Sequence, residues 1–239
     1  MRLVKSYELL EEKVIDEAII ENTTTINSKK IKMYIEKTIK RFVDIVMGFL
    51  GTLILIPITI GIFIARKILH EDDGPIFYEQ VRIGKDGKVF RMYKYRSMVI
   101  GADEKLSTYL KENEEARKEY SKYKKLKNDP RITKVGKFIR KTSIDEFPQF
   151  INVLLGQMSL VGPRPYLPRE QEDMGNYYKY IIQCKPGITG YWQTSGRSDV
   201  SFDDRLKMDF KYCQKRSLKV DAKLLMKTIL NVVKKEGAI

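Results

Sequence analysis

The chain has 239 residues, and its 45 Lys and Arg against 31 Asp and Glu give a formal charge of +14. That length admits one or two compact domains, and the basic excess suits phosphate-bearing substrates or an anionic membrane lipid surface. No zinc-finger spacing appears, so nucleic acid is not an expected partner; one histidine, His70, and two cysteines, Cys184 and Cys213, make a histidine-held metal and a disulfide framework equally unexpected.

Residues 1–36 contain no apolar run of spanning length, but Leu9, Leu10, Val14, Ile15, Ala18 and Ile19 recur at helical spacing. A short amphipathic helix is predicted there, followed by a polar linker from Asn22 to Ser28. Residues 45–65, IVMGFLGTLILIPITIGIFIA, carry no charge. As a helix they would measure about 32 Å, enough to cross a bilayer core. Pro57 inside the run should bend or break that helix. Basic residues flank both ends: Lys37, Lys40 and Arg41 before, Arg66 and Lys67 after. A straight crossing would send one cluster outside, against the positive-inside tendency. A kinked span and a hairpin that returns near Pro57 both remain open on this pattern.

Beyond the run, Phe77 to Ile83, the turn Gly84-Lys85-Asp86-Gly87, and Lys88 to Met98 read as a β-hairpin. Phe90, Met92, Lys94 and Arg96 alternate and should share one face, where the two cations either line a phosphate groove or sit on a solvated edge. Residues 102–127 read as a polar helix ending before Asn128-Asp129-Pro130. Trp192 and the tyrosines at 177, 178, 180 and 191 lie near basic residues, a composition suited to the lipid headgroup zone or to ordinary core packing. In the last segment, Val220, Leu224, Leu225, Thr228, Ile229 and Val232 fall at helical spacing, predicting an amphipathic helix that packs on the domain or lies on the membrane.

The richest stretch runs from Asp129 to Pro165. Adjacent carboxylates, Asp145 and Glu146, stand just ahead of an apolar helix and among Arg131, Arg140 and Arg164. Proline is tolerated only in the first turn of a helix, so Pro148 dates the helix start to about Ile144 or Asp145. That sets Asp145 at or beside the N-cap, where free N–H groups and the helix dipole attract anions. An ordinary capping aspartate explains the position too. Carboxylates among arginines also suit phosphoryl transfer.

The surrounding residues resemble the bacterial sugar transferase family, the monotopic polyprenyl-phosphate phosphoglycosyl transferases. The resemblance rests on Arg140, on Thr142-Ser143-Ile144-Asp145-Glu146-Phe147-Pro148-Gln149, and on Asn152 through Pro165. It continues in Lys40-Arg41-Phe42-Val43-Asp44, Gln80-Val81-Arg82-Ile83-Gly84, Tyr93-Lys94-Tyr95-Arg96-Ser97-Met98 and Lys185-Pro186-Gly187-Ile188-Thr189-Gly190. Several long motifs in order, over roughly residues 37 to 237, make a specific signal.

What the resemblance implies is transfer of a sugar-1-phosphate from a UDP-sugar to undecaprenyl phosphate, releasing UMP, to initiate a cell-surface glycan. By family position Asp145 is the nucleophile that holds the phosphosugar, with Mg²⁺ on Asp145; Glu146 assists with the metal or the acceptor's proton. Arg140 and Arg164 align with phosphate-binding arginines, and Lys94, Arg197 and Asp221 with positions linked to substrate or metal. The implied fold is a small α/β-like catalytic domain with a β-hairpin and amphipathic interfacial helices, attached to a re-entrant membrane helix. Its division is 1–36 as an extension, 37–69 as the membrane hairpin and 70–239 as the catalytic domain, all on the cytoplasmic face of the inner membrane. Self-association is left open. One departure stands out: the family often has Ser before the helix-breaking proline, where this chain has Ile56. Two rival functions keep the charge and the apolar run, a membrane-anchored scaffold and a nucleotide-sugar hydrolase.

Overall fold

The computed structural model describes residues 2–123, 126–195 and 200–234. The chain divides into two compact units, residues 1–42 and 43–239. In the first, every described residue belongs to a long helix, α1 (Arg2–Ile68). The stretch Asn22–Ser28 is therefore helical and not a linker. It contains neither Gly nor Pro, and Asn, Thr and Ser each cost a helix only about half a kcal/mol, so helix on both sides carries through.

In the second unit α1 runs on through Pro57 without leaving helical assignment. Over Lys30–Ile68 it is long and apolar enough to cross a membrane. One stripe is buried: Asp44, Gly48, Gly51, Leu55, Ile62 and Arg66, successive residues at helical spacing. The glycines admit a neighbour at close range, since a Cβ on Gly51 would lie 2.3 Å from the Phe150 ring. The opposite face exposes Phe49, Leu53, Ile56, Ile60 and Phe63. Although Ile56 offers no hydroxyl at the proline, two others come close: Thr59 Oγ1 donates to the Leu55 carbonyl at 2.7 Å and Tyr95 Oη lies 2.7 Å from Thr59 Oγ1. The helix ends in a left-handed residue, His70, with Glu71 N–H donating to Arg66 O at 3.0 Å and His70 N–H to Lys67 O at 3.2 Å.

The hairpin forms, with β1 (Phe77–Ile83) as read and antiparallel to β2 (Val89–Tyr95), which stops short of the Met98 expected, and with Phe77 opposite Tyr95. Phe90 and Met92 are buried on one face and Tyr95 on the other, against α1. Arg96, past the strand end, leaves the Lys94 face. It pairs with Asp72, and its Nε donates to Pro75 O at 2.7 Å, so the expected two-cation row is broken by a carboxylate at the end of α1.

The predicted polar helix over 102–127 is two, α2 (Ala102–Glu112) and α3 (Glu114–Tyr123). Asn113 turns extended between them, and its Oδ1 accepts from Ala116 N–H at 2.9 Å, recapping the second. Next come α4 (Lys134–Lys141), α5 (Gln149–Leu154), β3 (Ser159–Val161), α6 (Tyr178–Ile181) and β4 (Gly187–Thr189), with β3 and β4 parallel. Last among the described residues come α7 (Phe202–Lys215) and α8 (Leu218–Lys234). The described residues form a small mixed domain with two two-stranded sheets.

One core cluster joins Met92, Val153, Met158, Val161, Tyr212 and Leu224. Asn152, fully buried, ties β2 to α5: its Oδ1 accepts from Tyr93 N–H at 3.0 Å and its Nδ2 donates to Arg91 O at 2.7 Å. Tyr177 and Tyr178 pack on a second cluster and Tyr191 on Tyr212, so these aromatics are core and only Tyr180 of the four tyrosines is exposed. On α8, Leu224 faces inward as expected, but Ile229 is exposed beside Met226 and Leu230.

Candidate functional site

The carboxylate pair sits on a turn that the local sequence makes tight. After α4 the chain passes Ser143 in the left-handed region (φ 58°) and enters a 3-10 turn, Ile144–Glu146. Glu146 N–H donates to Ser143 O at 3.3 Å and Phe147 N–H to Ile144 O at 3.0 Å. Pro148 has no N–H to give, so the α-helix proper begins only at Gln149. Asp145 is thus in a single turn ahead of α5 and not at its N-cap, although the helical path does begin at Ile144. Ile144 and Phe147 hold the turn by packing on the cluster of Leu55, Tyr95 and Ile139.

Lys94, on β2, brings its Nζ 3.0 Å from Glu146 Oε1 and 4.0 Å from Asp145 Oδ2. Arg140, in the last turn of α4, donates from Nε to Ser97 Oγ at 2.8 Å. Burial pushes the Asp145 carboxyl up to about 6; Lys94 and Arg140 pull it down and Glu146 pushes it up. Burial holds Arg140 below its ordinary value while Asp145 raises it. The group is a nearly buried carboxylate that is still mostly ionised at neutral pH, flanked by two cations. Such a carboxylate can act as a nucleophile toward an anion that bare charge would repel.

Arg164 belongs to a second group. Its backbone N–H donates to Asp209 Oδ2 at 3.0 Å, and the Tyr166 hydroxyl donates to the same oxygen at 2.8 Å. Burial pushes Asp209 up to about 7, with both of these hydrogen bonds pulling against it. The Arg164 guanidinium lies 3.9 Å from Glu170 and 5.5 Å from the Trp192 ring centroid. Arg205 approaches the same ring at 5.2 Å, and Arg82 donates from Nη1 to Pro165 O at 2.8 Å. Burial first, then the charge of Arg164, lowers Arg82 to about 10, while Glu146 acts on it in the opposite direction.

Lys94, Arg140, Asp145 and Glu146 are brought together, with Arg164 in the adjoining group. Arg131 is not available to either, since Asp129 closes on it at 2.6 and 2.8 Å. Asp221, buried in the first turn of α8, lies 2.8 Å from the Tyr212 hydroxyl, which is itself 3.0 Å from Val161 O. Arg197 lies outside the described residues. Sequence reasoning singled out neither Arg82, although it stands in a family motif, nor Arg205. Among the described residues no three His, Cys, Asp or Glu side chains stand together to hold a metal. Two adjacent carboxylates do fit Mg²⁺, which takes one or two from protein when phosphate oxygens and water complete its shell.

The bacterial sugar transferase family model matches residues 35–235. The chain is 46% identical over 200 residues to the undecaprenyl-phosphate galactose phosphotransferase of Salmonella typhimurium, covering 84% of this chain and 41% of that protein. It is 38% identical over 199 residues to the exopolysaccharide production protein ExoY of Sinorhizobium fredii, covering 83% and 87%. Against the UDP-glucose:undecaprenyl-phosphate glucose-1-phosphate transferase of Escherichia coli it is 35% identical over 207 residues, covering 82% and 40%. The chain spans less than half the length of several of the curated relatives it matches. Both groups of site residues fall inside the matched region, and the chain belongs to the bacterial sugar transferase family.

Proposed function

We propose that this protein transfers a sugar-1-phosphate from a UDP-sugar to undecaprenyl phosphate, with Asp145 as the nucleophile, in the first step of building a cell-surface glycan. The observation that carries this reading is the nearly buried Asp145 carboxylate on its turn, 4.0 Å from Lys94 Nζ and acted on by the charge of Arg140. Its oxygen attacks the β-phosphorus of the UDP-sugar. The bond to the bridging oxygen breaks, and its electron pair leaves on UMP. An oxygen of undecaprenyl phosphate then attacks the same phosphorus, releasing the Asp145 carboxylate. Lys94 and Arg140 offset the charge of the diphosphate as it approaches, and Arg164 adds a planar donor fork. Mg²⁺, held by Asp145 with Glu146 beside it, would supply further neutralisation of phosphate charge.

The membrane reading is a re-entrant α1 with the domain on the cytoplasmic face. It is supported by the basic flanks and by the domain's grip on both sides of Pro57. Asp44 accepts from Leu160 N–H at 2.9 Å at one end, and Arg66 pairs with Asp72 at 3.3 Å at the other. A straight span would carry these two anchors, and the domain bonded to both, through the bilayer.

The test is UMP release by the full chain in lipid nanodiscs from a panel of UDP-sugars, with and without undecaprenyl phosphate and Mg²⁺. Without lipid phosphate, at most about one UMP per site should appear, with a phosphosugar adduct on the Asp145 peptide. Asp145→Asn should abolish both. Arg140→Ala and Arg164→Ala should each cost about 10² to 10³ in rate while remaining folded. Steady UMP without lipid would mean a hydrolase, and none at all a scaffold. Release only with lipid, and no adduct, would replace the covalent step by direct transfer.

A further inference from the structure

We propose that Arg164 and Arg205, both against the Trp192 ring, and Arg82, bonded to the Pro165 carbonyl next to Arg164, form one phosphate-monoester subsite occupied in turn by the departing nucleoside monophosphate and the incoming polyprenyl phosphate. The assignment rests on the transfer reading above and adds where the group that is not transferred is held.

Arg82 is 8% exposed and Arg205 4%, yet Nε of Arg82, Nε of Arg164 and Nη2 of Arg205 are buried without a hydrogen-bond partner. Buried guanidiniums normally close on carboxylates, as Arg131 does on Asp129. Here the acids at hand are Glu170, 3.9 Å from Arg164, and Asp209, which burial keeps partly protonated near neutral pH. Among the described residues, these three cations thus face Glu170 and a partly protonated Asp209. Their mutual repulsion shows in Arg82 and Arg205, each lowered by burial and then by Arg164. The Trp192 ring, 5.5 Å from one guanidinium and 5.2 Å from another, holds the two forks in place without neutralising them. Such a cluster is matched by a phosphate dianion, which accepts several guanidinium donors at once.

The chemistry says why one subsite serves twice. Displacement at phosphorus puts the attacking and leaving oxygens in line on opposite sides. In the first step Asp145 attacks and the UMP oxygen leaves. In the second the lipid phosphate oxygen enters where UMP left, and the Asp145 oxygen departs. The position across from Asp145 therefore holds a phosphate monoester both times. Arg82 and Lys94 share one face of the hairpin, because Tyr78, four residues before Arg82, pairs with Lys94, and Lys94 lies 3.0 Å from Glu146.

Trp192 is the chain's only tryptophan, so its fluorescence reports this subsite directly. The full chain, in nanodiscs of zwitterionic lipid, would be titrated with UMP, uridine and a short-chain polyprenyl phosphate, with affinities cross-checked by calorimetry. UMP and the lipid phosphate should each alter the signal and displace one another, and uridine should not. Arg82→Gln and Arg205→Gln should each weaken both phosphates at least tenfold. If a glutamine variant melts below assay temperature, Arg82→Lys and Arg205→Lys are read in its place, with weakening of both phosphates again expected because lysine loses the planar fork. Binding of UMP alone, or of both without competition, overturns the shared subsite; affinities indifferent to both arginines overturn the site itself. Binding is read without turnover. A chain that competes as expected but never releases UMP refutes the transfer reading and leaves the subsite standing.

Discussion

Asp145→Asn should stabilise the protein while abolishing its chemistry. Burial raises this carboxyl from its ordinary 3.8 to about 6, so the fold prefers it protonated. That preference is fully in place below about pH 4 and is lost as the pH rises through 6. At 1.36 kcal/mol per pH unit, holding the ionised form costs the fold about 3 kcal/mol at neutral pH. The attraction of Lys94 and Arg140 is already inside that net value. Asparagine approximates the protonated acid in shape and carries no charge to desolvate. The variant should therefore gain about 3 kcal/mol above pH 7, or roughly 6–12 °C in melting temperature for a domain of this size, and almost nothing at pH 4. Asp209, raised to about 7, is common to both proteins and cancels in the difference. Thermal melts of both proteins in one detergent, from pH 4 to 8, measure this. A variant no more stable than wild type at pH 7.5, or equally stabilised at pH 4, would refute the claim that desolvation dominates at Asp145.

Asp44→Ala should cost about 3 kcal/mol by denaturant melt, because its buried carboxylate accepts from Ser159 Oγ at 3.1 Å and Leu160 N–H at 2.9 Å. Asp44→Asn keeps the acceptor and should recover most of the loss; equal loss in both would show that shape, not acceptance, matters. Accessibility tags at both ends of the chain in intact cells should both be protected from outside reagents. Labelling of the N-terminus alone would establish a true span. Pro57→Leu should shift some molecules toward that form, because a continuous helix is long enough to cross.

The hairpin was legible because alternation and an Asp-Gly turn are local signals, and the structure keeps the strand Phe77–Ile83 as read. Pro148 located the start of the helical path but could not separate a 3-10 turn from an α-turn, since a residue without N–H leaves that choice to its neighbours. The break at Asn113 escaped because a lone Asn in a Lys- and Glu-rich run costs little in a helix and caps equally well. Arg82 and Arg205 were illegible for a different reason. Arg82 meets Pro165 across 83 positions, and only that long-range closure separates a buried cation from a solvated one. Arg96 is the converse: its alternation with Lys94 is real, but Asp72, brought in by the end of α1, captures it.

The buried stripe of α1 also sets how this protein can be handled. Leu55 and Ile62 complete a cluster with Tyr95, Val135 and Ile139, and Gly51 seats the ring of Phe150. A fragment cut at residue 70 to make the domain soluble would bare that cluster and free the base of the Asp145 turn, whose Ile144 and Phe147 rest on it. The segment whose outer face is apolar and exposed is a wall of the interior on its inner face, and excising it opens the core.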